Sequence, residues 1–198
     1  MIGRNHFVLG TVAAGVTTTQ MQILPWQQPG VFALALLVGG LAALLPDLDT
    51  RHNHLRQTFG LNRSQRRGIW APIQFMISWP LDQIAASLPH RGVTHWLLTG
   101  LLLAGAVRAL TAGGSAANWL WPVFLAGYLS HLLADSLTRA GAPLLAPMVT
   151  GPVRLLPRAL CVRTGSRAET GLVRVMLLGA AVWVAQAQGW LSAAAAAF

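Results

Sequence analysis

The sequence has few charged residues and almost no cysteine. Charged residues make up 10% of the 198-residue chain, against about 25% in an ordinary soluble domain, which argues against a conventional water-soluble surface. The single cysteine, Cys161, excludes an intramolecular disulfide and a zinc site built from several thiolates. Any metal ion would therefore have to be bound by histidine and carboxylate side chains.

Acidic residues are scarce as well, with 5 against 14 basic residues and a net charge of +9. All the basic residues are arginine, and lysine is absent. The chain is 54% hydrophobic with a mean hydropathy of +0.53. In such a chain, cytoplasmic loops beside anionic lipid explain an excess of positive charge without nucleic acid. We therefore expect a single integral membrane domain, residues 1–198, and no nucleic-acid partner.

The apolar segments predict an all-α polytopic fold with about five transmembrane helices. The predicted spans are residues 7–24, 31–46, 95–112, 117–138 and 172–190. The segment 69–89 is apolar but contains Pro72, Pro80 and Asp82, so we expect an interfacial or re-entrant helix there. A signal peptide remains an alternative interpretation of residues 7–24.

The positions of the arginines predict the orientation of these spans. Most arginines fall in the loops 47–68 and 139–171, and the positive-inside rule places both loops in the cytoplasm. The short uncharged links between spans then lie outside. His52 and His54, in the first of these loops, are expected to be solvated.

This topology brings a set of histidines and aspartates to the cytoplasmic ends of the spans. They are His6, Asp47, Asp49, His90, His95, His131 and Asp135. Ionisable groups beside lipid are costly and usually mark function. His131 and Asp135 are four residues apart and share a helix face, which suits two ligands of one metal ion. A neutral histidine bonded to an aspartate is the structural alternative. Asp47 and Asp49 alternate in LPDLDT, so both can present oxygen ligands on one side of a turn.

The segment HRGVTH carries two more candidate ligands, His90 and His95. Thr94 is a candidate cap for a helix beginning at His95. The guanidinium of Arg91 suits a phosphate or carboxylate of a substrate. Contact with lipid headgroups accounts for Arg91 equally well.

Imidazoles and carboxylates without thiolates suit zinc, manganese or iron, and seven candidate ligands could hold two ions. Hydrolysis is the natural chemistry of such a site, with a second ion or Arg91 stabilising developing negative charge and a spare aspartate or histidine acting as general base. A membrane interaction or regulatory protein with a structural metal site is the alternative from another class. A transporter is less favoured, because the ligands cluster at one face and form no path across the bilayer.

Four segments together resemble a known family. They are NHFVLG, LPDLDT, PHRGVTHW and GYLSHLLADSLTRAGAPLLAPM, and in this order they resemble the YdjM-like group of inner-membrane metal-dependent hydrolases, described as LexA-binding membrane proteins. The resemblance implies a divalent-metal site made by the seven histidines and aspartates. It also implies a bacterial inner-membrane location and a protein partner. Glu169, in RTGSRAET, resembles a further family element and is a candidate additional member of the site.

We therefore expect a membrane-embedded hydrolase with about two divalent ions at the cytoplasmic leaflet. The favoured substrate is a phosphoester of a lipid or another amphiphile that reaches the site from the membrane, and hydrolysis of an amide or ester by the same metal site is the alternative. The expected catalytic residues are Asp49, Arg91 and Glu169.

Overall fold

A computed structural model describes residues 1–49, 68–87, 92–114, 117–149 and 151–188. In this described part the fold is all-helical, with six α-helices and no β-strand. The helices are α1 (Gly3–Gln20), α2 (Pro29–Ala42), α3 (Ala71–Ser87), α4 (Leu97–Thr111), α5 (Leu120–Ser136) and α6 (Arg167–Ala187). Short 3₁₀ turns occupy Pro46–Asp49, Gly68–Trp70 and Val93–His95. The predicted all-α fold class is confirmed.

The helices overlap the predicted segments, but their ends differ because caps set them. α6 begins five residues before the predicted span 172–190, since the Ser166 hydroxyl accepts a hydrogen bond from the Glu169 backbone N–H at 3.3 Å. The prediction that Thr94 caps a helix beginning at His95 is wrong. Trp96 has an extended backbone, with φ −83° and ψ 140°, so it separates the 3₁₀ turn from α4 and occupies the N-cap position itself.

One helix of the described part, α6, is both long and apolar enough to cross a membrane; it has 21 residues. Two others, α2 and α4, are apolar but have only 14 and 15 residues. At 1.5 Å per residue such helices are roughly 21–23 Å long, against about 30 Å for the hydrocarbon core. The number of spans, about five, therefore stays a prediction.

Close backbone packing of α1, α2 and α5 forms the centre of the fold. A Cβ atom added at Gly10 or at Gly127 would overlap the carbonyl oxygen of Gly39. These glycines let three helix backbones approach more closely than larger side chains permit. We call this close approach of Gly10, Gly39 and Gly127 the glycine junction. Gly10 and Gly127 each lie four residues, about one helical turn, from a predicted ligand, His6 and His131.

The remaining described elements surround this centre. α4 packs on α5, where Gly100 leaves room for the Tyr128 ring. The Tyr128 hydroxyl donates a hydrogen bond to the Thr94 carbonyl, next to His95. α3 packs against the 3₁₀ turn Pro46–Asp49 and carries many exposed apolar side chains.

Candidate metal centre

Five predicted ligands converge from the ends of helices. His6 lies near the start of α1, and Asp47 lies in the turn after α2. His95 lies in the turn before α4, and His131 and Asp135 lie in the last two turns of α5. They form two groups, His6–His131–Asp135 and Asp47–His95–His131, and within each group the potential ligand atoms are all within 4.8 Å of one another.

His131 is common to both groups, and its orientation is fixed by the backbone. Its Nδ1 lies 2.7 Å from the Ala43 carbonyl oxygen. A carbonyl only accepts hydrogen bonds, so Nδ1 carries the proton and the neutral ring presents the Nε2 lone pair. Nε2 lies 3.3 Å from His95 Nε2 and 3.8 Å from Asp47 Oδ1. Proteins commonly orient a metal-binding histidine by such a bond to the second nitrogen.

Asp135 connects the two groups. Its Oδ1 lies 3.3 Å from His6 Nε2, and its Oδ2 lies 3.9 Å from His95 Nε2. The amino group of Met1 lies 2.5 Å from Asp135 Oδ1. The His6 ring stacks on the His131 ring, with centroids 3.8 Å apart and an interplanar angle of 19°. These contacts gather two carboxylates and three imidazoles in one place, as the sequence analysis expected.

The site is closed on most sides and accessible at one edge. The side chain of Asp47 is 20% exposed, whereas the other four side chains are at most 3% exposed. On the His6 ring, Nδ1 is buried and has no hydrogen-bond partner among the described residues. A buried polar atom of this kind calls for an explanation such as a bound ion or water. The donor set of nitrogen and carboxylate oxygen atoms fits a divalent ion such as zinc, manganese or iron.

Three other predicted members fall at the limits of the described structure. Asp49 lies in the same 3₁₀ turn as Asp47, two residues later, and its side chain is outside the described part. His90 and Arg91 both lie outside the described residues. Their predicted roles as ligand and as oxyanion contact therefore stay predictions.

Glu169 is described in full and lies outside both groups of potential ligands. Its side chain is buried, and both carboxylate oxygens accept hydrogen bonds. Oε1 accepts from the Ile2 backbone N–H at 2.8 Å and from Asn5 Nδ2 at 2.6 Å, and Oε2 accepts from the Gly165 backbone N–H at 2.7 Å. These partners tie the start of α6 to the start of α1.

Asn5 and the Ala43 carbonyl group were missed in the sequence analysis. Asn5 precedes His6 in NHFVLG, and a polar residue beside a candidate ligand is a signal that could have drawn attention to it. Ala43 contributes only its carbonyl oxygen. Every residue has a carbonyl group, so no side-chain pattern could have identified Ala43.

Comparison with known proteins now places this chain. The family model described as "YdjM inner membrane protein" matches residues 1–197. This chain belongs to the YdjM inner membrane protein family. The match confirms the resemblance drawn from the four sequence segments and supports the predicted inner-membrane location.

Two curated relatives have the same printed name, "Inner membrane protein YdjM". They come from Escherichia coli (strain K12) and Shigella flexneri, and each is 30% identical to this chain over 152 residues. The match covers 74% of this chain and 66% of each relative. The chain therefore spans slightly less than two thirds of their length. No solved structure matches the chain at a significant level.

Proposed function

We propose that this chain is a membrane-embedded, divalent-metal-dependent hydrolase that acts at the cytoplasmic leaflet. The observation that carries the proposal is the convergence of three imidazoles and two carboxylates from the ends of α1, α2, α4 and α5. Burying such groups together without a ligand is costly, because each loses its contact with water. A bound cation would compensate for this cost.

The geometry bears on how many ions the site would hold. A neutral imidazole presents one nitrogen lone pair, and His131 has its other nitrogen bonded to Ala43. His131 therefore serves one ion, although both groups of ligands include it. We propose one zinc, manganese or iron ion bound by His131 and by neighbouring donors of the two groups. The second predicted ion would need further ligands, for which Asp49 and His90 are the candidates.

When bound, a divalent ion supplies an acidified water and a positive charge beside the scissile bond. Side chains of the protein would supply the approach for the substrate, a general base and a contact to the substrate oxyanion. The exposed edge at Asp47 is where a substrate can approach, since the other donors are buried. Asp49, two residues later, is the proposed general base. Arg91 is the proposed contact to a substrate oxyanion, because guanidinium binds phosphate oxygens in a bidentate fork.

The proposed substrate is a phosphoester of a lipid or another amphiphile. Membership of an inner-membrane family supports it, because such a protein meets its substrates beside lipid. The position of the donors at helix ends also supports it, since helix ends of a membrane protein lie close to the headgroups.

The first experiment counts metal ions in detergent-purified protein. We expect about one equivalent of zinc, manganese or iron in the wild type, and loss of most of it in His131→Ala and in Asp135→Asn. Asp82→Asn is the matched control for Asp135→Asn, because it removes a carboxylate outside both described groups of donors. Equal metal content in all four proteins, or none after incubation with each ion, would contradict the proposed site.

The second experiment measures release of phosphate groups from phosphorylated lipids in mixed micelles. We expect turnover that requires the ion and is lost in Asp135→Asn, while Asp82→Asn keeps wild-type turnover. An ion-loaded wild type that cleaves none of these lipids would reject the proposed substrate class, even if the metal site is correct.

A structural metal site in a membrane interaction or regulatory protein is the second candidate. The burial of four of the five donors favours it, because structural sites are closed whereas catalytic sites keep an open position. The two candidate functions make different predictions about access to the ion at the exposed edge of the site, beside Asp47. A structural site predicts that exchange of the bound ion with added chelator is slow and that no ester or amide substrate is hydrolysed.

A further inference from the structure

The start of α1 determines where His6 lies. His6 is the fourth residue of this helix, which begins at Gly3. The N-cap residue is Ile2, whose side chain has no hydrogen-bond acceptor, and the first turn contains no acidic residue. The first N–H groups of a helix have no partner within the helix and carry partial positive charge. The first turn of α1 therefore needs an acceptor from another part of the chain.

Glu169 of α6 provides that acceptor. Its Oε1 accepts hydrogen bonds from the Ile2 N–H at 2.8 Å and from Asn5 Nδ2 at 2.6 Å. The residue is 1% exposed, so water competes little for these bonds. A carboxylate also complements the positive end of the α1 dipole. Hydrogen bonds to an ionised acceptor are stronger than those between neutral groups.

The same side chain belongs to the cap of its own helix. Ser166 and Glu169 have the S-x-x-E spacing of a capping box, and the Ser166 hydroxyl accepts from the Glu169 N–H. In the usual box the glutamate reaches back to the N-cap N–H. Here Oε2 accepts instead from the N–H of Gly165, one residue earlier, at 2.7 Å. One carboxylate thus accepts hydrogen bonds at the starts of both α1 and α6.

We propose that Glu169 is a positioning residue for His6: it fastens the first turn of α1 to α6 and so holds His6 beside Asp135. This inference deepens the proposed function and rests on the ion site described there. The contact that Glu169 would maintain is that of His6 Nε2 with Asp135 Oδ1, which are 3.3 Å apart. Glu169 acts through Ile2, the N-cap residue of α1, and through Asn5 in the first turn of that helix.

A double-mutant cycle on the full chain tests this indirect role. Co²⁺ is titrated into ion-free protein and followed by visible absorption, which reports the ligands of the ion. Glu169→Gln is nearly isosteric, but an NH₂ group replaces one oxygen, so it cannot accept from all three donors. We expect it to weaken Co²⁺ binding about 10- to 100-fold, the usual effect of losing a group that orients a ligand. In a His6→Ala background the same substitution should change the affinity by a factor of about 2 or less.

Two further variants serve as controls for the cycle. Asn5→Ala removes one of the three hydrogen bonds of Glu169 and should give a smaller loss that also depends on His6. Ser166→Ala removes the local cap of α6 but leaves all three bonds, so the affinity should stay within a factor of about 2 of wild type. An equal loss from Glu169→Gln with and without His6 would overturn the proposal, because Glu169 would then act as a ligand or on the whole site.

Amide hydrogen exchange of the ion-free protein gives a readout that does not depend on the ion. In Glu169→Gln, exchange should become faster for residues 5–9 of α1 and stay unchanged for α5. Unchanged exchange in α1 would overturn the proposal. Should wild-type protein bind no Co²⁺, the proposed metal-dependent function would fail, while the exchange measurement would still decide whether Glu169 fastens α1.

Discussion

The glycine junction and helix α3 differ in almost every physical respect. At the junction, three helix backbones meet at Gly10, Gly39 and Gly127, and neighbouring side chains such as Ala14 and Val123 are fully buried. On α3 and the turn before it, Trp70, Met76 and Trp79 are 62%, 74% and 55% exposed. Both regions are apolar in sequence, so composition alone does not distinguish them.

The difference shows which apolar residues position the site and which face outward. The junction lies one helical turn from His6 and from His131, so its packing fixes the distance between these ligands. α3 contacts the turn that carries Asp47 but leaves most of its apolar surface uncovered in the described structure. In an inner-membrane family, an exposed apolar surface of this size is suited to contact lipid. The closely packed junction and the exposed apolar surface of α3 should therefore respond differently to substitution.

The largest effect is expected from filling the junction. In Gly127→Val the new side chain would overlap the Gly39 backbone, and backbone atoms cannot move aside as a flexible side chain can. We expect destabilisation of about 3 kcal/mol or more, seen as aggregation on size-exclusion chromatography or a strongly lowered Tm. Gly105→Val is the matched control, because a Cβ there meets no atom within 4 Å. Equal behaviour of the two variants would contradict close packing at the junction.

The next effect is that of removing the ion. An ion present at about 100 times its Kd stabilises the folded protein by about 2.7 kcal/mol. We therefore expect a chelator to lower the Tm of the wild type and to have little effect on Asp135→Asn. The stabilisation should also disappear on acidification, because histidine and carboxylate ligands bind ions in their deprotonated forms. A chelator effect of the same size in both proteins would show that the ion acts outside the described donors.

A smaller effect is expected where α4 and α5 meet. Tyr128→Phe removes the hydroxyl that donates to the Thr94 carbonyl, next to His95. Loss of one such hydrogen bond costs about 1 kcal/mol, so the Tm should fall slightly. Because Thr94 precedes His95, ion affinity should fall with it. A lowered Tm with unchanged ion affinity would show that this bond stabilises the helix pair without positioning His95.

Much of the candidate site could be predicted because acidic residues and histidines, the residue types that form it, are rare in this chain. With so few acidic residues, an aspartate four residues from a histidine stands out, and helical periodicity places Asp135 and His131 on one face. Asp47 and His95 were recognised in the same way, as polar groups at the ends of apolar segments. Bringing them together required only that the helix ends meet at one end of the bundle.

The packing and the helix ends could not be predicted in the same way. Hydropathy reports which residues are apolar, whereas the start of α6 is set by the Ser166 cap and that of α4 by the extended backbone of Trp96. Gly39 and Gly127 are in contact although they lie far apart in sequence. Glycine has no side chain, so no hydropathy pattern predicts such a contact. The partners of Glu169 were missed for a similar reason, since Ile2 and Gly165 contribute only backbone N–H groups.

The smallest effect is expected on α3. Met76 is 74% exposed, so Met76→Gln removes little buried apolar contact. We expect the free energy of unfolding in detergent to change by no more than about 0.5 kcal/mol. Leu132→Gln is the matched comparison, because Leu132 lies beside His131 on α5 and is 1% exposed; a polar amide buried there should destabilise the protein strongly. Equal losses of Tm would mean that α3 is covered in the assembled protein, by a second copy or another protein, and that its apolar surface is an interface instead of a lipid-facing surface.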